Sequence, residues 1–253
     1  MQRVISGVVL AAAAVAAILF LPLVVLRVLT SVLALLAGYE YVKVTGAHPI
    51  GAAGALVACW VMAGGQPALG FQAVAWLTLV VTVLPVMLVA SPVQRSAASA
   101  FAAAYIGLPL GMLVLVQQNF GPKGTLFLIA SVVVSDTSQY YCGRAFGRRP
   151  LAPAISPKKT IEGAIGGVVC GAAFIAVVGG LVFGLSPLFT VPFGVLVVAL
   201  GIIGDLFESR LKRASGVKDS STLIPGHGGV LDRIDALLFV IPAFYFMLVR
   251  SVA

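Results

Sequence analysis

Apolar residues follow one another along this chain in runs much longer than a strand or one face of a surface helix would use. A helix that crosses the hydrocarbon of a bilayer needs about 20 such residues, within a range of roughly 17–25. Punctuation by proline, glycine and charge predicts nine spans. The first four run from Val4 to Leu21, Leu23 to Val44, Pro49 to Met62 and Phe71 to Ala90. The next three run from Ala97 to Val116, Thr125 to Tyr141 and Ile161 to Phe183. Val191 to Glu208 and Ile234 to Val249 complete the set, and the break at Pro22 with the short third run leaves eight as the alternative count. The pattern predicts an all-α, polytopic integral membrane protein. It divides into N-terminal transmembrane helices over residues 1–122 and C-terminal helices over 123–253, the latter carrying the polar residues of a site.

Composition agrees with the pattern. Of the 253 residues, 60% are apolar and 9% charged, and the mean hydropathy is +1.12. A soluble domain carries roughly 25% charged residues and about 45–50% apolar ones, so a soluble enzyme and a disordered chain are both excluded. The stretch from Met1 to Leu21 has a basic residue and an apolar run like a secretory signal. More apolar runs follow it in place of a soluble domain, so an uncleaved first membrane helix is expected. Cys59, Cys142 and Cys170 are an odd number with no CxxC spacing, which predicts small, mostly buried thiols without a disulfide framework or a zinc site.

The net charge of +8 raises the question of nucleic acid, since basic proteins often bind phosphate backbones. The positions of the charges argue against it. Residues 1–122 hold only Arg3, Arg27, Lys43 and Arg95, whereas ten of the other twelve basic residues lie between Arg144 and Arg233. Seven of the eight acids lie between Asp136 and Asp235, and Glu40 is the exception. Cytoplasmic loops are biased toward Lys and Arg. Nine spans with the N-terminus inside put 13 basic residues on the cytoplasmic side and leave Arg27, Lys123 and Arg250 outside. Both charged loops are thus expected to face the cytoplasm, where nucleotides are.

Two polar constellations stand out. In the first, Asp136 closes an apolar run, with Ser135, Gln139 and Tyr140 at helical spacing. An acid at membrane depth costs about 2.5–3.5 kcal/mol on insertion scales, so it faces a cavity or a partner, for which Arg144 is one candidate. Arg148, Arg149, Lys158 and Lys159 follow, and Thr160 with Glu162 and Gly163 resembles a capped helix start. Cations at a helix N-terminus make an anion site. In the second, Asp205, Glu208, Ser209 and Lys212 fall at i, i+3, i+4 and i+7, on one helix face. Asp232 and Asp235 stand at the mouth of the last apolar helix, where the dipole favours negative charge and Asp232 could equally be a cap. Carboxylates from different helices suit hard Mg²⁺ better than zinc. Lys212, Arg213, Lys218 and Arg233 suit phosphate oxygens. Gly228 and Gly229 permit a close backbone approach to a ligand, and His227 between them and Pro225 is either a turn hydrogen-bonder or an acid–base group.

The run from Ser209 to Arg213, then Lys218 and Asp219, then Ile224 through Asp235 (IPGHGGVLDRID) resembles the signature of phosphatidate cytidylyltransferases, also called CDP-diacylglycerol synthases. Asp136 with Thr137, Gly143 with Arg144, and Ser156 through Gly163 are similar to the family as well, while Gln139 and Arg148 depart from its pattern. The resemblance covers the C-terminal half; the N-terminal half matches only as a series of helices. It implies the reaction CTP + phosphatidate → CDP-diacylglycerol + diphosphate, with Mg²⁺ required and a second metal or a monovalent cation compatible with it. By this resemblance Asp205 and Asp232 bind metal with Ser209 beside them. Lys212, Arg213 and Lys218 hold phosphates, and Asp219 supports the metal or orients a lysine. Asp136, Lys159, Thr160 and Glu162 form the other wall. The substrates imply a bacterial inner (cytoplasmic) membrane setting, with the site facing the cytoplasm, and the resemblance implies a homodimer. Ether-lipid cytidylyltransferases and polyprenol kinases are the nearest alternatives. A CDP-alcohol phosphotransferase would carry a DGxxAR segment, which is missing here. An ion-coupled transporter would show repeat symmetry, but charge all but vanishes from the first half.

Overall fold

The computed structural model describes residues 2–64, 92–224 and 228–252. They form helices α1 (Gln2–Phe20), α2 (Leu23–Thr45), α3 (Ile50–Ala63) and α4 (Val93–Ala102), a π-helical turn (Ala103–Gly107), then α5 (Leu108–Phe146). A β-hairpin of β1 (Pro150–Ala152) and β2 (Ser156–Thr160) precedes α6 (Ile161–Phe183), α7 (Pro187–Ala214) and α8 (Leu231–Val252). Among the described residues, four stretches are long and apolar enough to cross a membrane: Leu23–Thr45, Val93–Phe146, Ile161–Phe183 and Pro187–Ala214. Large apolar side chains such as Leu181 and Leu188 point outward, as hydrocarbon surroundings allow. The protein is an all-α integral membrane protein.

The count of nine spans is not matched among the described residues. The expected fourth span, Phe71 to Ala90, lies outside them. The third is a helix of 14 residues, short of a crossing. The fifth and sixth fall in one run, Val93–Phe146, which Gly121 interrupts with φ 64° and ψ −166° just before Pro122. Helix α7 begins before Val191 and continues beyond Glu208 to Ala214, because its charged residues leave the lipid on a helix that does not stop.

Contacts divide the chain into two compact units. The first comprises Met1–Pro122 and Ala214–Ile234. Here α2, α3 and the π-helical turn meet through small residues, with Ala34, Ala37 and Ala55 fully buried. Lipid supplies no hydrophobic drive between helices, so close backbone approach replaces it. A Cβ on Gly107 would stand 2.5 Å from the Ala55 carbonyl oxygen, which only glycine avoids. The Thr30 and Ser31 hydroxyls donate to the carbonyls of Leu26 and Arg27 in their own helix, both at 2.8 Å. The Arg27 guanidinium donates to the Trp60 carbonyl at 2.9 Å and stacks over its ring.

The second unit comprises Lys123–Arg213 and Asp235–Ala253. Its core is aromatic: Phe127 packs against Phe183 and Phe244 with ring centroids 5.4 and 5.1 Å apart. Gly163, Gly166, Gly167 and Gly171 of α6 form a face against α5, meeting Gln139, Cys142 and Ser135. Gly204 does the same between α7 and α8; a Cβ there would stand 2.6 Å from the Asp235 carbonyl oxygen.

The hairpin departs from the helical expectation. Pro150 pairs with Thr160 and Ala152 with Ser156, and the Ile155 amide closes the turn on the Ala152 carbonyl at 3.1 Å with Pro153 preset for its second position. Its end is the start of α6, as the capping pattern predicts: the Thr160 hydroxyl accepts from the Gly163 amide at 3.1 Å. Glu162 reaches back to accept from the amides of Arg148 and Arg149 at 3.0 and 3.2 Å, pinning the segment that enters the hairpin.

Two stability effects follow. Replacing a cap hydroxyl costs about 1 kcal/mol, which for a chain of this size is roughly 2–4 °C in Tm. A thermal melt of Thr160→Ala in detergent should show that drop. Gly204→Val forces α7 off α8, at about 1–3 kcal/mol for overpacking. Its melt should fall further than that of Thr160→Ala, and equal melting of Gly204→Val and wild type would contradict the close packing.

Candidate active site

In the second unit, three helices and the hairpin bring acids and ammonium groups together. Asp205, in the last third of α7, is half-exposed, with Lys159 of β2 placing its Nζ 2.5 Å from Oδ2. Ser209, one turn on, donates from Oγ to Asp205 Oδ1 at 3.3 Å. The face expected from the spacing continues with the Glu208–Lys212 ion pair at 2.5 Å, where the glutamate is 1% exposed. Asp136 of α5 accepts from Gln139 Nε2 at 3.2 Å and feels the charges of Lys159 and Asp205. Asp235, just past the first turn of α8, feels those of Asp205, Lys212 and Asp136, and its Oδ1 accepts from the Ala236 amide at 2.8 Å.

Asp136, Asp205 and Asp235 thus share one electrostatic neighbourhood with Lys159 and Lys212. Like charges gathered this way favour cations among them. Among the described residues no three His, Cys, Asp or Glu side chains close into a metal cage. Mg²⁺ does not require one, since it keeps waters and takes one or two carboxylates plus substrate phosphates.

The other predicted residues of this unit sit around the group. Arg144 is exposed, with its guanidinium 3.4 Å from the Tyr140 hydroxyl; the Asp136–Arg144 pair is not formed. Arg213 ends α7 beside Lys212, where cations also suit the helix dipole. Thr160 and Glu162 spend hydrogen-bonding capacity on the cap and on the hairpin entry.

In the first unit, the loop from Ser215 to Val230 is bound down by two carboxylates. Asp232 Oδ2 accepts from the amides of Ser220 and Gly229 at 3.0 and 2.7 Å, and the Ser220 hydroxyl lies 3.0 Å from it. Asp232 therefore ties the loop before α8 to the first turn of that helix, while the Val230 and Leu231 amides go to Glu40. Glu40, from the C-terminal part of the membrane helix α2 and only 2% exposed, takes four more donors. Its Oε1 accepts from the Ser221 hydroxyl at 2.6 Å and the Val230 amide at 3.0 Å. Its Oε2 accepts from the Ser220 hydroxyl at 2.9 Å and the Leu231 amide at 2.8 Å.

Gly228 has φ +79°, and a Cβ on it would crowd Asp232 Oδ2; one on Gly229 would run into Ser220 and Glu40. The close approach these glycines allow is to the protein's own carboxylates. Lys218, Asp219 and Arg233 are exposed, and His227 lies outside the described residues.

Sequence reasoning passed over Glu40, Ser220 and Ser221, and it noted Asp235 and Glu208 without placing them in the site. Glu40 carried a usable signal: an isolated acid inside an apolar helix is a functional candidate by default.

Comparison with known proteins bears on this arrangement. The cytidylyltransferase family profile matches residues 1–250. A phosphatidate cytidylyltransferase of Thermotoga maritima is 41% identical over 155 residues, covering 59% of this chain and 57% of that protein. One from Haemophilus influenzae is 45% identical over 141 residues, covering 52% and 49%. The uncharacterized protein YnbB of Escherichia coli is 43% identical over 139 residues, covering 54% and 47%. The matched part of this chain spans about half the length of these curated relatives. With a profile matched along nearly its whole length, the chain belongs to the cytidylyltransferase family.

Proposed function

We propose that this chain is a phosphatidate cytidylyltransferase, joining CTP and phosphatidate to give CDP-diacylglycerol and diphosphate. The observation that supports this most is the Asp205 cluster: a carboxylate paired with Lys159 and bonded by Ser209, with Asp136, Asp235 and Lys212 in electrostatic range. Such a group binds phosphates through its ammonium groups and cations through its acids. Relatives named phosphatidate cytidylyltransferase align with over half of the chain.

In the reaction a phosphate oxygen of the lipid forms a bond to the α-phosphorus of CTP. The bond from that phosphorus to the oxygen bridging to the β-phosphorus breaks, and diphosphate leaves with the electron pair. The lipid phosphate is already anionic, so no side-chain nucleophile is needed. Catalysis of this kind is mostly positioning and charge neutralisation. Lys159, Lys212, Arg213, Lys218 and Arg233 are the cations we assign to phosphate oxygens, with Arg144 and Thr160 as further donors. Asp219 orients a neighbouring lysine, and His227, Gly228 and Gly229 belong to the substrate-binding turn.

Asp205 and Asp232 are the carboxylates we assign to Mg²⁺, and their hard oxygen donors fit that ion. When bound, it would neutralise charge on the phosphates. The substrates suit a bacterial inner membrane with the site open to the cytoplasm, where CTP is dissolved and the lipid phosphate lies at the interface. A homodimer accompanies this reading by family resemblance.

Protein purified in detergent and supplied with radiolabelled CTP, phosphatidate and Mg²⁺ should form a labelled CDP-lipid. Formation of none, under conditions where the protein is folded, would reject the proposal. EDTA should abolish turnover and added Mg²⁺ restore it. Asp205→Asn and Asp232→Asn should each lower kcat/KM by more than about tenfold, a loss above 1.4 kcal/mol in transition-state stabilisation, with melting temperatures near wild type. Retention of more than about a tenth of the activity would undo the metal assignment.

A further inference from the structure

The most unusual polar arrangement outside the proposed ligands is that of Glu40. It is a carboxylate 2% exposed in the C-terminal part of α2, and the four hydrogen-bond donors around it are neutral. Two are the amides of Val230 and Leu231, at the start of α8, where helix N–H groups have no intrahelical acceptor. The other two are the hydroxyls of Ser220 and Ser221, ten residues earlier in the chain. One side chain therefore clamps both ends of the segment that carries the glycine turn, just after Lys218 and Asp219, and it does so next to Asp232. Removing a partner from such a network leaves buried amides and hydroxyls unsatisfied.

Ser220 links the two acids. Its Oγ lies 2.9 Å from Glu40 Oε2 and 3.0 Å from Asp232 Oδ2, but a hydroxyl has only one proton. At any moment one of these two contacts sets an oxygen lone pair against an anion. A cation held by Asp232 would ease that conflict, because it would offset the negative charge that the hydroxyl lone pair meets while the proton stays with Glu40. The Ser220 amide, which donates to Asp232 at 3.0 Å, fixes the geometry of the exchange.

We propose that Glu40 is a positioning residue for the cation site: through Ser220, Val230 and Leu231 it holds the Asp232 carboxylate in its metal-binding orientation. The proposal rests on the assignment of Asp232 to the metal. Partners that orient a metal ligand typically contribute about 10–100-fold in affinity. Glu40→Gln keeps the shape but turns one acceptor into a donor facing donors. Ser220→Ala removes the shared hydroxyl and leaves α2 untouched.

Mn²⁺ binding to the detergent-purified protein, read by electron paramagnetic resonance without substrates, is the direct test. Glu40→Gln should weaken Mn²⁺ at least tenfold, and Ser220→Ala about threefold or more. In turnover, the Mg²⁺ concentration for half-activation should rise in parallel, while the KM for CTP at saturating Mg²⁺ stays within about threefold. Trypsin should cut Glu40→Gln faster at Lys218.

If Glu40→Gln fails to fold, Ser220→Ala decides. Mn²⁺ affinity within twofold of wild type in the folded variants, while Asp232→Asn abolishes it, would overturn the positioning role alone. Mn²⁺ affinity unchanged by Asp232→Asn would overturn the metal assignment and this role with it.

Discussion

A carboxylate carried on a helix of membrane length must be met by donors, and the polar architecture of this protein follows from that requirement. Two solutions occur. Glu40 is met by neutral amides and hydroxyls, which fix the geometry of the chain around it. Asp205 and Glu208 are met by the ammonium groups of Lys159 and Lys212. An ion pair of that kind can be exchanged for another, since an arriving phosphate competes for the lysine and an arriving cation for the acid. The first solution builds structure, and the second leaves room for chemistry.

Packing without a hydrophobic drive is the second requirement. The helices come together where side chains are smallest, at Ala55 against Gly107 and at Gly204 against the backbone of Asp235. The latter contact lies one residue before Asp205. The acid of α7 and the first turn of α8 are thereby held close by contacts that no larger residue would permit. Site geometry and helix packing are the same event there.

The sequence made the C-terminal helices legible and hid the connections among them. Helix α6 begins and ends where read, because Thr160 and Gly184 are local signals. Helix α7 runs longer than expected because charge marks where lipid ends, while the backbone stays helical for as long as its hydrogen bonds do. The spacing of Asp205, Ser209 and Lys212 disclosed their shared face. It could not disclose Lys159, which arrives on a hairpin with neither helical nor strand periodicity, a proline in each strand and one at the turn. Glu40 was the hardest to place. Its serine partners lie 180 and 181 residues away, and a separation of that size leaves no trace in local pattern.

That separation also bears on how the protein is made. The first unit is discontinuous: residues 1–122 are completed by 214–234. Synthesis proceeds at about 5–20 residues per second, so α2 is in place for roughly 10–40 s before its partners leave the ribosome. Through that interval an acid on an apolar helix has none of these four donors. Water, another helix or the insertion machinery has to serve it meanwhile. The residue that secures the finished loop is thus the one most exposed to error during assembly, and premature release of the nascent chain would strand it in lipid.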